Sequence, residues 1–549
     1  MKRFWGLFLA FVMVLGLVTG CTNTGNIEPG AAQQDGTGTQ EPDATADNPG
    51  TQKPEAKYKD TIIYVTNTDQ NVLDGQMNNT NETILRTVYN GLVKLDPETG
   101  EMIPDLAESY SVSDDGCVWT FNLRKDVYFH NGKQLTSADV KASYDRLLDK
   151  DNPVRYTSTM GIIASCDVID EFTVALSTAE PMAAFIPNLL HRANLILDKD
   201  YIEKYGTELG LTTESVNGTG PYKLVSWSQG EEMVFEANEK YYAGAPLTKN
   251  LIVQVIDNAT SRAIALETGE CDIADTIAAE DITRFENSED VKILGFNYIG
   301  THVYQFNCTT EHMSDVRLRQ AVVYAVNTEE IVNVLYASKG ETVCTAPLSP
   351  GVWGYADMGE IPYNPDKAKQ LMTEAGYPDG FDITICVRTS YDKAQESAEM
   401  MVQQLAKVNI NAKIEIVESA VWSEACTSTY PGEKMSWDLF LTGQAPATCD
   451  ADGMRRYYTT ETAGTNANNY GWYSNERVDE LLAAGAKELD ETKRKEIYEE
   501  IMHIIWTEDP AGIWINNRLA FFGTTDSVSG FQVDVRKAPD FSKVLIVAD

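Results

Sequence analysis

Ile103-Pro104-Asp105-Leu106-Ala107-Glu108-Ser109-Tyr110 leads through Ser113-Asp114-Asp115-Gly116 into Val118-Trp119-Thr120-Phe121-Asn122-Leu123-Arg124. Val118 to Arg124 alternates strictly between apolar and polar side chains from Trp119 on, the period of a strand buried on one face. Gly116 tolerates positive φ, so Ser113 to Gly116 reads as a hairpin turn. Val127-Tyr128-Phe129-His130-Asn131-Gly132 brings a second turn. In Leu135-Thr136-Ser137-Ala138-Asp139-Val140, Thr136 or Ser137 opens a helix carrying Val140, Tyr144 and Leu147.

Outward from this segment the pattern is mixed. Lys59 to Thr66 reads as a strand, and Glu82 to Val93 places Ile84, Leu85, Val88 and Leu92 at helical spacing. The loop Asn78-Asn79-Thr80-Asn81 lies between them, where Asn81 or Thr80 caps the helix or the loop presents amides to a ligand. Asp366 to Ala375, Lys393 to Lys407, Val478 to Leu489 and Thr492 to Thr507 carry helical periodicity, with short β-type runs between them. The chain is therefore α/β, with sheets covered by helices. Trp437 to Leu441 is a strand-like run that ends at Gly443 to Pro446, a loop of small residues. Loops at the carboxyl ends of strands are where α/β proteins gather ligands, which makes this stretch a candidate binding rim.

At 549 residues, 43% hydrophobic and 23% charged, the chain is long enough for two or more lobes. Its charge of −38, from 82 acidic against 44 basic residues, repels nucleic acid and anionic lipid head groups. Met1-Lys2-Arg3 precedes an apolar run from Phe4 to Leu17, shorter than the ~20 residues of a membrane helix, and then Val18-Thr19-Gly20-Cys21. This order reads as an export signal with a lipobox, Cys21 becoming the lipidated N-terminus. Thr22 to Lys57 has almost no aliphatic residues and reads as a flexible tether. Eight further cysteines are scattered singly, without zinc spacing, so buried free thiols are expected, with one or two bridges left open. His130, His191, His302, His312 and His503 are isolated, and no nucleophile elbow or phosphate loop accompanies them, so no enzyme and no cofactor is predicted.

The segment from Met102 to Leu148 closely resembles the signature of the extracellular solute-binding proteins of family 5, the peptide/nickel-type receptors of ABC importers, departing only at small positions such as Ser137. Gly218-Thr219-Gly220-Pro221-Tyr222-Lys223, Leu266-Glu267-Thr268-Gly269-Glu270-Cys271-Asp272-Ile273, Asp315 to Ala321 and Tyr473 to Leu482 are similar to further blocks of that family in the right order. The resemblance covers essentially Lys59 to Asp549. It implies a two-lobed, periplasmic-binding-protein-like clamp of type II with an extra inserted subdomain. The implied organisation is a signal over 1–21, a tether over 22–58, lobe I from 59–87, 213–303 and 511–549, an insert over 88–212, and lobe II over 304–510. The crossings near Tyr298 to Asn307 and Ile513 to Asn517 would form the hinge. It further implies a small peptide or peptide-like ligand and ABC permease subunits with an ATPase as partners. The body is expected outside the cytoplasm, held to the cell membrane by Cys21. A metal chelate or an oligosaccharide as ligand, and a cell-surface enzyme or adhesive lipoprotein, remain the alternatives.

Arg388 ends the strand-like run Asp382 to Val387 just before a helix start, where forked donors and the helix dipole both favour a carboxylate. Pairing with Asp392 or Glu396 is the competing reading. Gln444 and Ala447 stand where peptide receptors of the family carry a Trp and an amine-pairing Asp. Asp450 and Asp452 follow, either as helix caps or as partners for an amine, and a calcium loop is rejected for want of ligands. Tyr304, Trp353, Trp422, Tyr470 and Trp472 are the aromatic candidates near the expected cleft, with lobe-to-lobe packing as the alternative.

Overall fold

The computed structural model describes residues 57–549 except 78–81, 98, 150, 152–161, 338–339, 390, 392, 427–434, 447, 464–467 and 549. Met1–Cys21 and most of the proposed tether lie outside these residues, as do Asn78, Thr80 and Ala447. The main sheet has 11 strands. In chain order they are β1 (Thr61–Thr66), β2 (Tyr222–Ser228), β3 (Glu232–Ala237), β4 (Asn250–Val255), β5 (Ile273–Asp275), β6 (Val291–Phe306), β7 (Thr342–Val343), β8 (Phe381–Arg388), β9 (Ile410–Val417), β10 (Leu439–Gln444) and β11 (Gly512–Thr525). Across the sheet they run β9-β8-β10-β6-β11-β5-β1-β4-β3-β2, with β7 beside β11.

Two long antiparallel strands carry the chain between the halves of this sheet. At one end, β11 pairs β5 through Ile273↔Thr524; at the other, β6 pairs β10 from Thr301↔Gln444 to Phe306↔Leu439. The β6–β11 ladder is regular from Val291↔Thr525 to Asn297↔Leu519, breaks register on either side of Thr301↔Asn517, and resumes at Val303↔Trp514. Separate cores flank the two halves: Tyr64, Leu85, Phe235, Val253 and Phe522 on one, and Phe306, Leu318, Ile331, Ile385, Met401 and Leu439 on the other.

A four-stranded antiparallel sheet, in the order Ala107–Val112, Val118–Leu123, Thr173–Ser177, Ser165–Asp170, contains the hairpin read from sequence. Gly116 has φ 71°, Ser113 N donates to Val118 O at 2.9 Å, and Phe121 is fully buried. The helix Ser137–Leu148 begins where expected, Asp139 reaching back to accept from Thr136 N at 3.0 Å. His130 docks this unit on the Gly218-Thr219-Gly220 loop: its backbone N donates to Gly218 O at 2.9 Å and its Nε2 lies 3.0 Å from Gly220 O. Burial holds its imidazole down to about 4, so it stays neutral.

The helix predicted over Glu82 to Val93 stops at Val88, and Val93–Leu95 is a strand. Gly218 and Gly220 press against the backbone there: a Cβ on Gly218 would stand 1.9 Å from Val88 O, which accepts from Gly220 N at 2.8 Å. That carbonyl is committed to another chain segment, so the helix cannot continue through it. The four-stranded unit also meets the helical segment near Ala486 directly. Ala183 N donates to Ala486 O at 2.8 Å, Lys487 pairs with Glu180, and one apolar cluster runs from Trp119 and Phe185 to Leu482 and Trp506. All eight cysteines from Cys117 to Cys449 are free thiols, which leaves no bridge among the described residues.

Candidate functional site

β8 and β10 run parallel, so their carboxyl ends open on the same side. Arg388 is the last residue of β8. Its guanidinium lies 3.9 Å from the centre of the Trp422 ring and 4.3 Å from that of Tyr391. Trp422 is itself fixed edge-on against Phe440 and Tyr470. Stacking holds the planar fork in one orientation, which lowers the entropy lost when it grips a planar anion. Arg388 donates to the Tyr391 hydroxyl, its buried Nε has no acceptor, and it pairs with no carboxylate among the described residues. Of the two competing partners, Glu396 is bonded instead to Lys393 at 3.2 Å, and Asp392 lies outside the described residues.

Tyr391 joins this group to the crossing strands. Its oxygen accepts from Arg388 and from Gly443 N at 2.9 Å. Both lone pairs are then occupied, and its own O–H is left as a donor for something else. Gly443 is a glycine for a reason of space: a Cβ there would stand 3.2 Å from the Tyr391 oxygen and 3.4 Å from Arg518 Nη1. Arg518, on β11 where the ladder breaks, lies 5.3 Å from the Tyr298 ring centre, and Lys537 Nζ lies 4.8 Å from the same ring. Neither forms an ion pair with a carboxylate of the described residues. Burial first, and Arg518 second, push the Lys537 ammonium down to about 8, while Asp275 and Glu341 oppose the shift from a distance. His302 lies beside Tyr391, ring centres 5.3 Å apart, with Nδ1 3.1 Å from Asn516 Oδ1.

Trp422, Arg388, Tyr391, Gly443, Arg518, Tyr298 and Lys537 thus form one continuous run of rings and cations. It spans the ends of β8 and β10 and the break in the crossing strands. Such a surface can accept anions, and planar or peptide-like groups can stack on its rings.

Several residues predicted for the site are used elsewhere. Tyr304 is fully buried in the core, its hydroxyl 2.6 Å from Ser397 Oγ, because alternation along β6 turns Tyr304 and Phe306 toward the helix Ala394–Ala406. Asp450 forms a two-pronged bond with buried Arg494 (2.9 and 2.5 Å) and accepts from Asp452 N at 2.8 Å as a helix cap. Asp452 accepts from the Tyr498 hydroxyl at 2.9 Å. Neither acid faces the cation run; a partner distant in sequence claims each. Gln444 accepts from the Tyr458 hydroxyl at 2.5 Å, and its buried Nε2, like Thr301 Oγ1, has no partner among the described residues. Both line a small cavity with Ser349 and Tyr457 next to the site. Trp472 is half-buried with φ 54°, on a turn pinned by Asn469, and stacks on no other ring among the described residues. Trp353 packs on Arg494 in the core. Arg518, Lys537 and Tyr298 escaped the sequence reading. Neither Arg518, on the crossing strand β11 where its register breaks, nor Lys537 offered a local signal.

A separate groove of about 470 Å³ lies between Tyr89, Tyr241 and Arg536. Its charges largely satisfy each other, Lys94 with Asp105 at 3.4 Å and Arg536 with Asp534 at 2.5 Å. Among the described residues no helix is long and apolar enough to cross a membrane, and no cluster of metal-ligating side chains occurs.

A family model described as "Bacterial extracellular solute-binding proteins, family 5 Middle" matches residues 101–466. The glutathione-binding protein GsiB of Escherichia coli (strain K12) is 30% identical over 461 residues, covering 83% of this chain and 88% of its own. HbpA2 from Haemophilus parasuis superposes with a TM-score of 0.77 at 25% identity, over 88% of this chain and 99% of that one. The fold is shared too with the periplasmic binding protein DppA from Helicobacter pylori in complex with the peptide STSA, at a TM-score of 0.75 and 24% identity over 89% and 99% of the two chains.

Proposed function

The chain belongs to the bacterial extracellular solute-binding proteins of family 5, and from that premise we propose that it is the capture subunit of an ABC importer for a small peptide or peptide-like solute. The solute is held between lobe I (59–87, 213–303 and 511–549) and lobe II (304–510), against the run from Trp422 to Lys537. Closing about the crossing strands, where the ladder is irregular, presents the loaded form to the permease. The ligand sets that population through contacts it makes only when the lobes are closed. Cys21 anchors the body to the membrane by its lipid, through the 22–58 tether.

The observation that carries this reading is Arg388. A guanidinium stacked between Trp422 and Tyr391, at a strand end, with no carboxylate of its own among the described residues, is a prepared receptor for a carboxylate. The relatives support the solute class: GsiB is named for glutathione, and DppA is described with a peptide. The test is mass spectrometry of solute released from the purified body, followed by calorimetric titration with dipeptides, tripeptides and glutathione. Saturable one-to-one binding of such a compound is expected. A body that carries no solute and binds none of them refutes the reading.

A further inference from the structure

Elsewhere in this chain, Arg146 has Asp74, Arg319 has Asp509, Arg494 has Asp450 and Arg536 has Asp534, while fully buried Arg262 donates to the main-chain carbonyls of Ile256, Asp257, Asp275 and Thr276. With 82 acidic residues available against 44 basic, pairing is easily arranged. Arg388, Arg518 and Lys537 have neither arrangement. Each is half-buried and none forms an ion pair among the described residues. The three are connected through Tyr391, Gly443 and Tyr298 rather than dispersed. Like charges gathered in a partly desolvated place repel one another, and only an added anion relieves all of them at once.

Resting on the receptor reading above, we propose that the solute is a polyanion, a short acidic peptide or peptide-like compound with at least two carboxylates. One carboxylate is held by Arg388 and the Tyr391 O–H, the other by Arg518 and Lys537. Spacing favours one small molecule bridging both places, because the two guanidinium groups flank a single residue. The Tyr391 oxygen is 2.9 Å from Gly443 N, and Arg518 Nη1 is 3.4 Å from where a Gly443 Cβ would stand. The nearest counter-charges are committed. Asp275 accepts from Tyr64, Thr66 and Asn67, and Glu341 accepts from Asn516 and Leu519 N. Asp450 and Asp452, the acids that could have met a free amine, face Arg494 and Tyr498 instead. The site is built for negative charge, and a cationic end group gains little in it.

The experiment compares L-alanyl-L-glutamate with its near-isostere L-alanyl-L-glutamine by calorimetry, on the wild-type body and on an Arg518→Gln, Lys537→Met double variant. The glutamate peptide is expected to bind about tenfold or more tightly to the wild type, and the double variant to lose most of that preference. Lys537→Arg should retain it, which separates a charge effect from a folding defect. Equal affinities of the two peptides for the wild type, or a preference that survives in the double variant, overturn the polyanion assignment while leaving the receptor reading intact. If neither peptide binds, the co-purifying solute decides: one with two or more ionised acidic groups supports the proposal, and a neutral or cationic one overturns it. Absence of both peptide binding and solute overturns the receptor reading as well.

Discussion

Replacing Arg388 by Met removes the guanidinium but keeps an unbranched apolar stem between Trp422 and Tyr391. Two effects follow, and the structure separates them. Ligand binding loses hydrogen bonds from a charged donor to a carboxylate, about 1.5–3 kcal/mol, or roughly 10- to 150-fold in affinity. Folding loses two cation–ring contacts at 3.9 and 4.3 Å. At about 0.5–1 kcal/mol each, partly restored by the Met stem, they lower the melting temperature by only a few degrees. The surroundings should hold, since Tyr391 keeps its bond to Gly443 N and Trp422 keeps its packing on Phe440 and Tyr470. Arg388→Lys should fall between, with the charge present but the fork absent. The assay is calorimetry with a bound peptide and its C-terminal amide on wild type and variant. The amide should bind the wild type about as weakly as the acid binds the variant, and removing both should cost little more than removing either. Unchanged affinity in Arg388→Met, or an equal loss for acid and amide, would falsify the carboxylate assignment.

Lys537 links the site to pH. Its ammonium is depressed to about 8 in the free protein, so affinity for anionic ligands should be greatest below that pH and decline above it, a decline that Lys537→Met removes in a titration series. Its effect on stability has the opposite sense: the folded value lies below the ordinary 10.5, so the cost of burying the charge is fully present below about 8 and disappears as pH rises toward 10.5. Asp450→Asn leaves Arg494 buried without its counter-charge and should cost about 3–5 kcal/mol in denaturant unfolding. Ligand affinity of its folded fraction should be unchanged, and a large affinity loss at full folding would return Asp450 to the binding site.

The fold was legible where the signal is local. Strict alternation over Trp119 to Leu123, preceded by a turn whose glycine has positive φ, allows one structure, and it forms. The placement of Arg388 was legible too, because strand end, cation and helix start are adjacent in the chain. Asp450 and Asp452 misled for the converse reason. Their local context is that of a cap or a ligand, and what decides is Arg494 and Tyr498, more than forty residues away. Arg518 and Lys537 reach the site only because β11 crosses the sheet and the chain then turns back, an event of topology that no short window records. The early stop of the helix at Val88 has the same origin, in a loop some 130 residues later.

The contact between Ala183 and Ala486 bears on residence time. Parting the four-stranded unit from the helical segment there breaks a main-chain hydrogen bond and the adjoining apolar surface. If the proposed clamp frees its solute by that parting, escape is paced by one opening motion common to every solute. Solutes of different affinity should share that upper limit on dissociation and differ in how far they suppress the opened population. A permease that prised this rim apart would raise the release rate of all of them together, without making a contact in the binding site.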